Sequence, residues 1–162
     1  MKKNNQTDFI SDGTLYSVYT YRTKDGLHYY QFEYVYIFGA VCPSRDEAVG
    51  LVLPVANTDA MLAHLKEISV QVPPGRHAVL VLDRAAWHTT KRLKVFDNLT
   101  LLPLPVASPE LNPTEQVWQV LRDNWLANRC FEGYDEIVEA CCEAWNWFVN
   151  IPNHIKQLCS RS

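Results

Sequence analysis

Long apolar runs are missing from this sequence. Its unbroken apolar stretches are short, such as Ala78 to Leu82, far below the roughly 18 residues of a membrane-spanning helix. No apolar signal-peptide core follows Met1-Lys2-Lys3. Charge is also sparse, at 20% against a usual value of about 25%, while 48% of residues are hydrophobic. That balance excludes a disordered or low-complexity chain. Basic excess is absent too: 15 Lys and Arg face 18 Asp and Glu, a net charge of −3. A free-standing nucleic-acid binder would normally show the opposite sign. The five cysteines (Cys42, Cys130, Cys141, Cys142 and Cys159) are odd in number and contain no C-x-x-C pair. They read as reduced thiols, with the adjacent Cys141 and Cys142 as small core residues. The five histidines lack metal-finger spacing, so a structural zinc site is not expected.

What is present fits one folded domain. A chain of 162 residues can bury about 70% of its unfolded surface without staples. Its charges are segregated. Arg84, Lys91, Arg92 and Lys94 fall close together beside His88, whereas Glu132, Asp135, Glu136, Glu139 and Glu143 cluster later. A local basic strip can meet a phosphate backbone on a net acidic protein, or can be a plain solvated surface.

Seven of the eight tyrosines lie between Tyr16 and Tyr36. Leu15 to Arg22 and Tyr29 to Val41 are predicted strands, with a turn at Asp25-Gly26. Glu47 to Val55 is a third strand, and Asn57, Thr58 or Asp59 caps a helix over Ala60 to Ile68, with Met61, Leu62, Leu65 and Ile68 on its apolar face. His77 to Asp83 and Leu99 to Leu104 read as strands buried on both faces, and Thr89 to Val95 as a short helix. Helices follow from Pro113 to about Asn128 and from Tyr134 to about Trp147, with a last turn to Cys159. The order predicts one α/β domain with a mixed sheet.

Two carboxylates stand out by position. Asp83 closes a predicted strand, and active sites of open α/β sheets collect at strand carboxyl ends. Glu115 lies in the first turn of a helix opening Asn112-Pro113-Thr114-Glu115, where an acid also serves as a capping residue and complements the helix dipole. Between them lie a predicted strand and a proline-stiffened loop, a span able to bring both acids to one cleft. Hard divalent ions such as Mg²⁺ take one or two carboxylates plus substrate phosphates, and paired ions serve phosphodiester chemistry.

The segments Asp83-Arg84-Ala85-Ala86-Trp87-His88, Leu101-Leu102-Pro103-Leu104-Pro105 and Ser108-Pro109-Glu110-Leu111-Asn112-Pro113-Thr114-Glu115-Gln116-Val117-Trp118 carry a resemblance. They are similar to the catalytic domain of DDE transposases, in the bacterial insertion-sequence branch of the Tc/mariner superfamily. Phe38-Gly39-Ala40-Val41-Cys42-Pro43 and Asn128-Arg129 extend the likeness over roughly residues 13–160. It implies an RNase H-like mixed β-sheet flanked by α-helices. It further implies Mg²⁺- or Mn²⁺-dependent cleavage and strand transfer at transposon ends, and a cytoplasmic, nucleoid-associated bacterial protein. Asp83 and Glu115 match the second and third metal-holding catalytic acids. Trp87, His88 and Asn112 match supporting positions, and Arg84, Lys91, Arg92 and Lys94 become candidates for DNA contact.

The first catalytic Asp of that family lies on an apolar first strand, and its position falls here near Asn5, in a polar stretch. Asp8 and Asp12 are the acidic candidates to replace it. Residues 1–12 are therefore expected to be a polar segment that forms a substitute strand, or to leave a place filled by another chain, with 13–162 the incomplete catalytic domain. The expected partners are DNA and either a second copy or a full-length or complementary transposase chain. The expected function is a truncated transposase domain, weakly active or inactive alone. The competing reading is a non-enzymatic relic or interaction module that folds and dimerises, and a further one is an active nuclease using Asp8 or Asp12.

Overall fold

The computed structural model describes residues 5–10, 14–22, 28–82, 96–105, 112–127, 129, 131 and 133–159, and gives the backbone alone before residue 34. Four strands form an antiparallel meander in chain order: β1 (Asn5–Ile10), β2 (Thr14–Arg22), β3 (His28–Cys42) and β4 (Glu47–Leu53). The β-branched and aromatic run predicted from Tyr29 becomes β3, 15 residues long. Its first part pairs with β2, from Arg22↔His28 to Thr14↔Tyr36, and its last part with β4, from Tyr36↔Leu53 to Cys42↔Glu47. The β3–β4 turn closes through Arg45 N–H donating to Cys42 O, and Asp46 takes a left-handed φ of 57°.

Helix α1 (Thr58–Gln71) starts where Asn57 Oδ1 accepts from Ala60 N–H at 2.9 Å, which selects Asn57 among the three candidate caps. Strands β5 (Ala78–Leu82) and β6 (Leu99–Pro103) pair in parallel. Then come α2 (Thr114–Leu121), a π-helical turn (Arg122–Leu126), α3 (Tyr134–Asn150) and α4 (His154–Cys159). Pro152 separates the last two, since a proline ring cannot continue a helix.

Pleat alternation sorts the core into two layers. On one face Val35 and Ile37 of β3 join Val117, Leu121, Leu126, Ile137, Cys141 and Phe148 of the C-terminal helices. On the other, Phe38 meets Met61, Leu65 and Ile68 of α1 with Leu82 and Leu99. Gly39 and Gly50 stand opposite each other in the β3–β4 ladder. A Cβ on Gly39 would come within 2.6 Å of Trp118 and 2.8 Å of Trp145, and one on Gly50 would clash with the Trp145 indole at Cε2 and Nε1. The two bare positions form a flat bed on which Trp145 lies, its ring centroid 6.2 Å from that of Trp118.

Four expectations change. The described strands make two sheets, β1–β4 and β5–β6, rather than one mixed sheet. Residues 5–10 do form a strand, but it lies along the outer edge of β2 and not between the meander and β5. β5 and β6 are not buried on both faces: Val79 is 60% exposed and Val81 40%, and no described element covers that face of this small sheet. Of the adjacent thiols only Cys141 is buried, while Cys142 faces solvent, as a helical step of about 100° requires. The short helix predicted over Thr89 to Val95 lies outside the described residues.

Candidate functional site

A cleft of about 560 Å³ opens between β3 and β5. Consecutive residues of β3, Tyr36 to Cys42, border it, as do consecutive residues of β5, Val79 to Leu82. Neighbours from both pleat faces line it together, so the cleft borders the strand edges and not one face of a sheet. No described strand pairs with β3 residues 37–42 on the side away from β4, nor with β5 on the side away from β6. The orientation of β5 follows from its bonds. Ala78 N–H donates to Asn98 O at 2.9 Å and Leu104 N–H to Leu82 O at 2.7 Å. Facing alternates along a strand, so Val79 and Val81 turn their N–H and C=O groups away from β6.

The start of α2 closes one end. Asn112, Pro113, Thr114, Glu115 and Trp118 all line the cleft. The cap falls one residue later than the sequence predicts, at Pro113, and Asn112 supports it from outside: its Oδ1 accepts from Thr114 N–H at 3.2 Å and from the Thr114 hydroxyl at 2.6 Å, and its carbonyl accepts from Glu115 N–H. Pro113 sits at φ −64°, preorganised for the first turn. Glu115 is thereby held, half-buried, where the positive end of the helix favours its charged form.

Two anchors fix this turn from behind. Cys159 Sγ donates to Pro113 O at 3.6 Å, tying α4 to α2. Burial pushes the Cys159 thiol up to about 11, so it stays a donor at neutral pH. Asp46, at the tip of the β3–β4 turn, accepts from Asn153 N–H at 2.5 Å and from Lys156 N–H at 3.1 Å, capping the start of α4.

Helix α1 supplies the floor through Met61 and His64. His64 is buried on the apolar face, its ring 5.9 Å from that of Phe38. Sequence reasoning placed Leu62 there instead. The spacing Met61, His64, Leu65, Ile68 is the better helical stripe, and the signal was missed because a histidine was counted as polar.

Of the predicted site residues, the structure places Glu115 and Asn112 together at the cleft. Leu82, the residue before Asp83, lines the opposite wall. Asp83, Arg84, Trp87, His88, Lys91, Arg92, Lys94 and Asp12 lie outside the described residues. Asp8 belongs to β1, opposite Tyr16, on the far side of β2 from β3. Among the described residues no three His, Cys, Asp or Glu side chains form a group able to hold a metal ion. None of the described helices is long and apolar enough to cross a membrane.

Comparison with known proteins identifies the family. A sequence profile described as DDE superfamily endonuclease matches residues 15–138. An uncharacterised protein of Sinorhizobium fredii, y4pE/y4sA, is 59% identical over 119 residues, covering 74% of this chain and 88% of that protein. No solved structure matches. The profile runs from β2 into α3 and takes in both walls of the cleft, so this chain belongs to the DDE superfamily endonucleases.

Proposed function

We propose that this chain is the catalytic part of an insertion-sequence transposase with an RNase H-like core. In this reading it uses divalent metal ions to cut and join transposon-end DNA. The observation that carries the reading is the cleft: Glu115 is fixed at its rim by the α2 cap, and the opposite wall is the strand that runs directly into Asp83. Asp83 and Glu115 would hold Mg²⁺ or Mn²⁺, whose hard acceptor preference suits carboxylate oxygens. A bound pair of such ions would activate the attacking oxygen and stabilise the leaving one. The chain's own part is to hold Glu115 with its first turn capped, and to present Arg84, Lys91, Arg92 and Lys94 to phosphates, with Trp87 and His88 beside Asp83.

Two acids hold an ion pair poorly, and Asp8 and Asp12 are the acidic positions nearest the place where a first one is expected. The chain is therefore weakly active or inactive alone, and is completed by association with itself or with a complementary or full-length transposase chain. The bacterial cytoplasm, at the nucleoid, is where such a reaction belongs. The second reading is a non-enzymatic relic or interaction module that folds and dimerises.

Nicking of supercoiled DNA in Mg²⁺ or Mn²⁺ separates them. The catalytic reading expects slow nicking, or nicking restored on adding a complementary transposase chain, and its loss in Asp83→Ala and Glu115→Ala. Nicking unchanged by both substitutions sinks it, as does complete inactivity in the completed assembly. Loss in Asp8→Ala or Asp12→Ala as well would identify the missing acid.

A further inference from the structure

We propose that the cleft between β3 and β5 is a slot for one extended strand supplied by a different polypeptide rather than by a second copy of this chain, apolar and uncharged over about five residues. The inference rests on the reading that a partner chain completes the catalytic part, and it names where and how that partner engages.

Three observations select a strand rather than a small apolar ligand. First, both long walls are main-chain edges: β3 residues 37–42 on one side, and Val79 and Val81 on the other. Facing rows of N–H and C=O groups are satisfied by a polypeptide lying between them, the mode of β-strand addition. Secondly, the slot continues a pairing line already in use. β2 occupies that side of β3 as far as Thr14↔Tyr36, and the slot begins at the next β3 residue. Thirdly, the lining sets the chemistry of the occupant. Ile37, Phe38 and Val41 face Leu80, Val81 and Leu82 across it, and among the described lining residues Glu115 carries the single full charge. An uncharged segment of valine, isoleucine or aromatic residues meets that demand, since a buried unpaired charge costs far more than the pairing returns. Inserting it would also flank Val79 and Val81 along the edge of their exposed face.

The probe is a short synthetic peptide of alternating valine and tyrosine between terminal lysines, added to the full chain without DNA. Hydrogen exchange is followed residue by residue. The expected result is at least tenfold slower exchange at alternate amides of 37–42 and at Val79 and Val81, with no change at the β6-facing amides of Ala78 and Leu80. The same peptide N-methylated at every residue between the lysines keeps its charge and side chains but loses its donors on both edges, and is expected to give no protection. On the protein side, Val79→Pro removes a slot-facing donor and leaves the β5–β6 bonds in place, an arrangement edge strands tolerate. It is expected to abolish peptide protection while β6 amides stay protected.

Equal protection by the methylated peptide, or none by either, overturns the proposal. So does protection of these amides already present in the free chain, whether it sediments as a monomer, its own backbone filling the slot, or as a dimer filled by a second copy. The readout involves no DNA, so a failure of nuclease activity in the completed assembly would count against the catalytic reading alone.

Discussion

The two halves of this molecule are built to different tolerances. Around β3, β4 and α3, aromatic rings lie against bare backbone: Trp145 is seated on the Gly39–Gly50 pair, and Phe148, Ile137 and Cys141 are fully enclosed. Around β5 and β6, two strands carry exposed valines and an edge that no described strand pairs with, and share with α1 a much smaller layer. In the first half a single added methyl group at Gly39 or Gly50 would clash. The second leaves room for a whole strand, and it is there that Glu115 and the strand leading to Asp83 meet. The larger buried layer lies in one half, and the cleft lined by Glu115 lies at the open edge of the other.

Substitutions can break or sharpen this contrast. The largest effect is expected from Phe148→Ala, which opens a cavity in the enclosed half and should cost about 3–5 kcal/mol in denaturant unfolding. Gly50→Ala puts a methyl group into the Trp145 ring, and overpacking of this kind costs roughly 1–3 kcal/mol, with a matching loss of Trp145 fluorescence anisotropy. A near-neutral result at either site would erase the distinction.

Alkaline pH probes the same half. Burial, aided by the neighbouring Cys142, pushes the Cys141 thiol from 9 up to about 12. The raised value means the folded state holds the proton more tightly. The associated stability is full below pH 9 and is lost as pH rises toward 12, at about 1 kcal/mol per pH unit. Urea midpoints should fall over that window, and Cys141→Ala should flatten the fall while lowering the neutral midpoint.

Asp46→Ala removes the cap of α4 and should cost about 1 kcal/mol, measured as a lowered Tm, with a contribution from the left-handed φ that alanine tolerates poorly. The smallest effect belongs to the open half: Val81→Thr, on an exposed position, should change stability by less than about 0.5 kcal/mol. A larger loss in the isolated chain would mean that this edge is already covered.

Much of this was legible in the sequence, and the failures share a cause. Runs of β-forming residues bounded by turn signals located β2, β3 and β4 to within two residues, and helical spacing with an Asn cap located α1. The Asn112-Pro113-Thr114-Glu115 turn was readable because capping is local chemistry. The short apolar runs of β5 and β6 misled, since a run without alternation signals burial on both faces only when neighbours arrive to cover them. No local pattern could place residues 5–10 on the outside of β2, a decision made between competing edges of a sheet. The same limit hid the glycine pair: each glycine is unremarkable alone, and only the register sets Gly39 opposite Gly50 under Trp145.

Helix α4 has a consequence out of proportion to its length. Its first turn is held by Asp46 at the tip of the β3–β4 hairpin, and its last residue, Cys159, holds Pro113 at the base of the Glu115 turn. Six residues at 1.5 Å each span about 9 Å. The helix is thus a spacer gauge between the most rigid ladder of the protein and one of its candidate acids. Lengthening it by one residue would move Cys159 by a hundred degrees around the axis, and would displace Glu115 while every residue lining the cleft stayed the same.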